Sequence, residues 1–343
     1  MTGPSPENDR PADARPEDAA PRGAAARLRD HAVPLFEGAR SRRHVRRGVR
    51  GLRVRALWLS LRHRQALSGA AVFAQFAGWP RSGHSLIGAL IDAHPQAAIA
   101  HELDAMGLFR KGLPPRALAA LCLGNAAAFT AAGRHWNGFR YRVPGAPHGP
   151  AGRLRVLGDK KGDWATRWSA ACPGLPAGLA ARSPFACRWI LVTRHPADNI
   201  ATMSLRRGRD YDRLRIARPA DLDAALRRAQ AEGRIADRAC DAMIDDYAAL
   251  AAAAARMKAS LPPESWTEIV YERFVAAPGP ELERLAGFLG LDPDPAWRDA
   301  AAGLVRPSAR RSRDSLAWRD DQRARIAALT ATHDFLAPYG DDV

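Results

Sequence analysis

Gly78-Trp79-Pro80-Arg81-Ser82-Gly83-His84-Ser85 has GxxxxGxS spacing, and its flanks narrow the fold more than any other part of the chain. Before it runs Ala71-Val72-Phe73-Ala74-Gln75-Phe76-Ala77, an apolar segment that reads as a buried strand. After it, Leu86, Ile87, Leu90 and Ile91 fall at i, i+1, i+4 and i+5, which suits one face of a helix. Strand, glycine loop and helix in that order form an anion site, because loop N–H groups and the positive helix end converge on one spot. Nucleoside triphosphatases place a lysine before the final hydroxyl, where it reaches the terminal phosphates. His84 stands there instead, which argues against ATP or GTP hydrolysis. Arg81 puts a permanent cation inside the loop. The plain alternative is a structural turn with Arg81 solvated, and the Pro-Arg-Ser-Gly core between these flanks disfavours it.

Further on, strand-like and helical segments alternate. Leu154 to Leu157 reads as a strand ending at Gly158-Asp159-Lys160, Trp189 to Thr193 as another ending at Arg194-His195-Pro196, and Trp266 to Tyr271 as a fourth. Helical sequence covers much of 221–260, and Glu281 to Leu289 is an amphipathic helix closed by Gly290. Strands separated by helices predict an α/β fold with a doubly wound, mostly parallel sheet and helices on both faces, of the P-loop nucleotide-binding type, in a single domain. Its expected extent is 66–343. Residues 1–26, rich in Pro, Ala and charge, read as a disordered tail. Residues 27–65 read as a basic, helical extension in which Val45, Val49, Leu52, Ala56 and Leu59 recur at helical spacing among many arginines. Such a helix either packs its apolar stripe on the domain or attaches to an anionic membrane or acidic partner. The residues favour packing, with peripheral membrane contact as the other reading.

The formal net charge of +16 implies attraction to polyanions without saying which. No nucleic-acid motif and no basic–aromatic interleaving accompanies it, which speaks against nucleic acid. The four cysteines, Cys122, Cys172, Cys187 and Cys240, lack paired or metal-ligand spacing. No secretory signal or bilayer-length apolar run is visible, so a cytoplasmic protein is expected.

Ligands of an open α/β sheet bind beyond the carboxyl ends of its strands. Arg81, Lys160 and Arg194 each follow a candidate strand and so share that edge, which suggests a ligand with more than one phosphate-like group. Glu102 lies near the same edge, either neutralising the cations or serving as a base. His101 is the rival base; neighbours in an extended segment point oppositely, so only one of them faces the site. Trp136, Phe139 and Tyr141 are either core or the lining of an acceptor pocket. Arg206, Arg207 and Arg209 either reach the ligand or solvate a helix end.

Pro80-Arg81-Ser82-Gly83-His84-Ser85-Leu86, followed by Leu90-Ile91-Asp92-Ala93-His94-Pro95, resembles the opening of the sulfotransferases that use 3′-phosphoadenosine 5′-phosphosulfate (PAPS), in particular tyrosylprotein and bacterial members. Ile190 to Asn199 is similar to the family's 3′-phosphate motif. Val270-Tyr271-Glu272-Arg273-Phe274-Val275 and Leu285 to Leu291 resemble a pair near the end of bacterial members. The resemblance implies that Arg81, the amides of Ser82, Gly83, His84 and Ser85, and the Ser85 hydroxyl hold the 5′-phosphosulfate. His84 replaces the family's usual threonine, which puts an imidazole in prospect beside the sulfuryl group. It implies Arg194 and Thr202, with Ser204 as a competitor, for the 3′-phosphate, and a late serine, Ser315 or else Ser312, on the phosphosulfate. Glu102 falls where relatives carry a general base and Lys160 where they carry a lysine beside the reacting centre; Arg81 completes the catalytic set. The implied co-substrate is PAPS, with no metal, and the acceptor is a hydroxyl, or an amine, on a small molecule, carbohydrate, lipid or peptide. The rival readings are a P-loop phosphotransferase, for which Asp159 is the one tempting magnesium ligand, and a non-catalytic basic protein that binds nucleic acid or membrane.

Overall fold

The computed structural model describes residues 42–136, 139–148, 152–207, 210, 214 and 221–342. The expected tail, the first part of the extension and Arg209 lie outside them.

The chain enters through helices α1 (Arg42–Arg62) and α2 (Arg64–Leu67) and then forms strand β1 (Val72–Gly78), every residue of which is buried. The glycine loop leads into α3 (His84–Asp92), followed by β2 (Ala97–Ala100), α4 (Ala105–Arg110) and α5 (Pro115–Ala131). A small hairpin, β3 (His135–Trp136) and β4 (Phe139–Arg140), precedes β5 (Val156–Asp159). Then come α6 (Gly162–Ala171), α7 (Leu175–Arg182), β6 (Ala186–Thr193), α8 (Pro196–Arg207), α9 (Leu222–Ala231) and α10 (Asp241–Ala259). Strand β7 (Trp266–Val270) and helices α11 (Tyr271–Ala276), α12 (Pro278–Leu289), α13 (Pro295–Ala302) and α14 (Asp320–Thr332) complete the succession.

Among the described residues the main sheet has the order β2-β5-β1-β6-β7, and each neighbouring pair is parallel. Alternation along a strand sends successive side chains to opposite faces, and two cores result. Phe73, Ala77, Trp189 and Leu191 join a core with α1, α4, α5, α6 and α10. Val72, Ala74, Phe76, Ile190 and Val192 join another with α3, α11, α12 and α13. Helices therefore cover both faces, as the alternation of segments implied. The strand expected at 154–157 lies at Val156–Asp159, because the Leu154 N–H bonds Ala66 O (2.9 Å) and the Arg155 N–H bonds Gln96 O (2.8 Å) before the ladder begins. The edge strand β7 alternates half-buried Trp266, Glu268 and Val270 with buried Thr267 and Ile269.

In α1, Val49, Leu52, Ala56 and Leu59 are buried and belong to the first core. The expected apolar stripe is thus packed on the domain, against α5 in particular.

Candidate functional site

Strand β1 ends with Gly78 at φ 123°, and the loop beyond it is held from below. Trp79 is fully buried, stacks on Tyr247 with centroids 4.6 Å apart, and donates Nε1–H to Tyr247 O at 3.0 Å. Ser82 donates to Trp79 O (3.0 Å), and Asn199 Nδ2 donates to Pro80 O (2.9 Å). Arg81 takes a left-handed φ of 71° and Gly83 one of 112°. A Cβ at Gly83 would come within 2.5 Å of the Tyr271 ring, so backbone angle and space both call for glycine there. Helix α3 opens next; the Gly83 carbonyl accepts from the Leu86 and Ile87 N–H groups (3.0 and 3.2 Å), and those of His84 and Ser85 have no carbonyl one turn earlier to accept them. They and the loop lie together where the sequence analysis expects an anion to bind.

His84 departs from expectation. Its Nε2 lies 2.9 Å from Ala77 O and 3.2 Å from Ser82 Oγ, its ring meets Phe76 edge-on, and Gly162 packs against it. Burial pushes its pKa down to about 4, so the ring is neutral and donates to the Ala77 carbonyl. The imidazole braces the loop from inside rather than standing beside a transferring group; only its backbone N–H belongs with the loop amides.

Strand β5 delivers Lys160 to the same edge. Gly88 of α3 lets it pass, since a Cβ there would lie 2.9 Å from Lys160 Cβ. The ammonium donates to Ser85 Oγ at 2.7 Å and to Glu102 Oε1, while Lys161 donates to Glu102 Oε2. Burial would raise the Glu102 pKa, but the two ammonium groups outweigh it and hold the carboxyl well below the usual range. Burial lowers the pKa of Lys160, which Glu102 partly offsets. Desolvation also works against the charge of Lys161, yet Glu102 and Asp163 raise its pKa overall. The Glu102 side chain keeps 21% of its surface open and that of Lys160 only 4%.

Residues 101 and 102 are not extended as expected: Glu102 has φ 62° in a turn after β2. The turn is fixed by Asp159, fully buried, which accepts from the N–H groups of Leu103 (3.3 Å), Ala105 (2.7 Å) and Lys161 (3.3 Å). His101 is buried. It stacks on Phe129 with centroids 3.9 Å apart, and burial holds it neutral. Tyr141 comes nearer the site than Trp136, which packs edge-on against His101 (5.0 Å), or Phe139, which is exposed. The Tyr141 hydroxyl meets Ser85 and lies within electrostatic reach of Arg81 and Glu102; burial pushes its pKa up to about 12.

Strand β6 brings Arg194 to the opposite side of the loop. One amino group bonds Arg310 O (2.6 Å) and Ser312 Oγ (3.2 Å); the other approaches Arg81 O (3.4 Å) and Thr202 Oγ1 (3.5 Å). Among the described residues its buried Nε has no hydrogen-bond partner. Its neighbours hold the surroundings: Asp198 accepts from the Arg313 N–H (2.7 Å), and the His195 N–H bonds Glu272 (3.0 Å), whose other oxygen takes the Tyr339 hydroxyl (2.9 Å).

The structure thus gathers Arg81, Ser82, Gly83, Ser85, Glu102 and Lys160 on one flank of the loop and Arg194 with Thr202 on the other. Two expected residues fall elsewhere. Ser312, not Ser315, meets Arg194, because the turn Ser312–Ser315 carries the Ser315 carbonyl to Gln230 Nε2 (2.6 Å). Ser204 leaves α8 on another side from Thr202, accepts from the Cys240 N–H (3.1 Å), and lines a separate cavity of about 490 Å³ with Arg207, Arg234 and Cys240. Lys161 was missed, although its place beside Lys160 was the available signal. Among the described residues no cluster of His, Cys, Asp and Glu is arranged to hold a metal ion, and no helix is long and apolar enough to cross a membrane.

No family model and no curated protein matches the chain. Solved structures with a similar fold include the sulfotransferase domain of the Synechococcus PCC 7002 olefin synthase, 13% identical over 77% of this chain and 94% of that one, with a TM-score of 0.43. The sulfotransferase domain of the curacin biosynthetic pathway is 16% identical over 76% and 97%, TM-score 0.40. Mouse sulfotransferase SULT7A1, complexed with PAP, is 13% identical over 80% and 89%, TM-score 0.38. Likeness this remote decides neither donor nor acceptor.

Proposed function

We propose that the protein moves a sulfuryl group from PAPS to a hydroxyl, or an amine, of an acceptor. The observation that carries this reading is the pair of hydrogen-bonded clusters, each built on a buried cation, on opposite flanks of one glycine loop. Lys160, Ser85 and the α3 amides form one; Arg194, Thr202 and Ser312 form the other, with Arg194 linked to the loop through Arg81 O. A donor bearing a 5′-phosphosulfate and a 3′-phosphate presents one anion to each, with the Arg194 guanidinium on the 3′ side.

In-line transfer forms a bond from the acceptor oxygen to sulfur and breaks the sulfur–oxygen bond to the 5′-phosphate, with charge gathering on that bridging oxygen. Lys160 stabilises this charge, and Arg81 with the loop amides neutralises the phosphate. Glu102 takes the acceptor's proton. Two ammonium groups make its carboxylate a weak base at rest; an anion that shares Lys160 and Lys161 raises its basicity when proton transfer is needed.

The phosphotransferase reading fits less well. The carboxylate of Asp159 is taken up by three backbone N–H groups, and the side chain at the place of the triphosphatase lysine, His84, is buried and neutral.

Calorimetric titration with 3′,5′-bisphosphoadenosine, with ADP as comparison, tests the assignment. Arg194→Ala is expected to weaken the bisphosphate by about 10–100-fold and ADP by much less, as loss of a charged hydrogen-bonding partner implies. Glu102→Gln is expected to keep binding within several-fold while transfer of radiolabelled sulfate from PAPS falls by about 10²–10⁴. Equal affinity for both nucleotides, or metal-dependent preference for ATP, would overturn the reading.

A further inference from the structure

Helix α1 carries a second apolar stripe that the domain does not use. Val54, Leu57, Trp58 and Leu61 are 69%, 63%, 54% and 67% exposed. Four large apolar side chains at i, i+3, i+4 and i+7 mark one face of a helix. At about 100° per residue they lie opposite Val49, Leu52, Ala56 and Leu59, the stripe packed against the domain. The helix is thus held by one apolar face and presents another outward.

The charge around that outer face narrows what covers it. Between positions 42 and 64 the sequence has nine arginines and neither aspartate nor glutamate. Arg53 falls along one flank of the outer stripe and Arg55 and Arg62 along the other, Arg50 continues its line one turn before Val54, and the Arg62 guanidinium lies over the Trp58 ring at 5.2 Å. A second copy of the chain would set this positive charge against itself. A planar anionic surface would meet arginines on both sides of the stripe while the stripe and the indole enter its apolar layer, the arrangement of helices that lie in a membrane interface.

We propose that α1 docks the protein on anionic lipid bilayers, lying parallel to the surface with Val54, Leu57, Trp58 and Leu61 inserted. This docking is independent of the chemistry at the glycine loop.

Co-sedimentation of the full chain with phosphatidylcholine vesicles, with and without about 30% phosphatidylglycerol, tests it. Partitioning onto the anionic vesicles should exceed that onto neutral ones by about tenfold or more and fall steeply with added salt. The triple substitution Leu57→Ser, Trp58→Ser, Leu61→Ser should reduce it by at least about tenfold without lowering the melting temperature, since those side chains are already solvated. Arg50→Glu with Arg62→Glu, which leaves the apolar stripe intact, should abolish the preference for anionic lipid. Equal partitioning onto both vesicle types, full binding by the triple variant, or a lipid-free dimer that the triple variant dissolves would each overturn the proposal.

Discussion

At the scale of single residues, Gly83 shows how tightly the loop is specified. Its φ of 112° and the Tyr271 ring 2.5 Å from any added Cβ are separate penalties, so no rearrangement of one relieves the other. Gly83→Ala should lose about 1–3 kcal/mol of stability, or an equivalent share of bisphosphoadenosine affinity if the loop shifts instead. Thermal melting and titration of the same variant separate these outcomes, and unchanged values in both would contradict the described loop. The residues legible from the sequence are those whose chemistry matches their position beside a strand end: Arg81, Lys160, Arg194 and Glu102. His84 was not, because spacing shows that a side chain stands in a loop but not which way it turns. Ser312 and Ser315 have the same chemistry three residues apart, and only the 3₁₀ turn distinguishes them.

At the scale of elements, the strands bounded by glycine or charge were visible, and α5 was not. It is buried nearly all round, lying between the sheet and α1, so its apolar residues show no period for a sequence reading to detect. Strand β2, Ala97-Ala98-Ile99-Ala100, is likewise rich in alanine, which favours strands poorly. The joint between α1 and α5 depends on Gly124, where a Cβ would come 2.6 Å from Leu59 Cδ1. Gly124→Val should therefore destabilise the protein by about 1–3 kcal/mol through overpacking. In a Leu59→Ala background it should cost less, because it fills the space that substitution opens. Chemical denaturation of the four members of the cycle measures the difference, and strict additivity would refute the contact.

At the scale of the whole molecule, buried carboxyls set a pH dependence that charge counting does not show. Burial raises the pKa of Asp104 to about 7, despite hydrogen bonds from Trp168 and the Gly107 N–H that oppose the shift, and burial raises Asp159 to about 6. A carboxyl whose folded pKa exceeds its unfolded value binds more protons when folded, so its contribution is complete below about pH 4 and lost as pH rises through the folded pKa. Glu102 works in the other sense, stabilising the fold above the ordinary glutamate range and losing that effect in acid. Asp104→Asn keeps an oxygen for both Gly107 and Trp168, which meet Oδ1 at 3.1 and 3.0 Å. It should raise stability at pH 8 by on the order of 2 kcal/mol and flatten the decline between about pH 4 and 7. Melting curves across that range check this, and an unchanged slope would exclude Asp104 as its source.

The glycine turn is steadied by side chains made far later than itself: Tyr271, Ser312 through Arg194, and Tyr339 through Glu272. A ribosome completes the turn long before it makes any of them. The turn therefore reaches its final shape late in synthesis, and under the proposed function an unfinished chain has no grip on the donor.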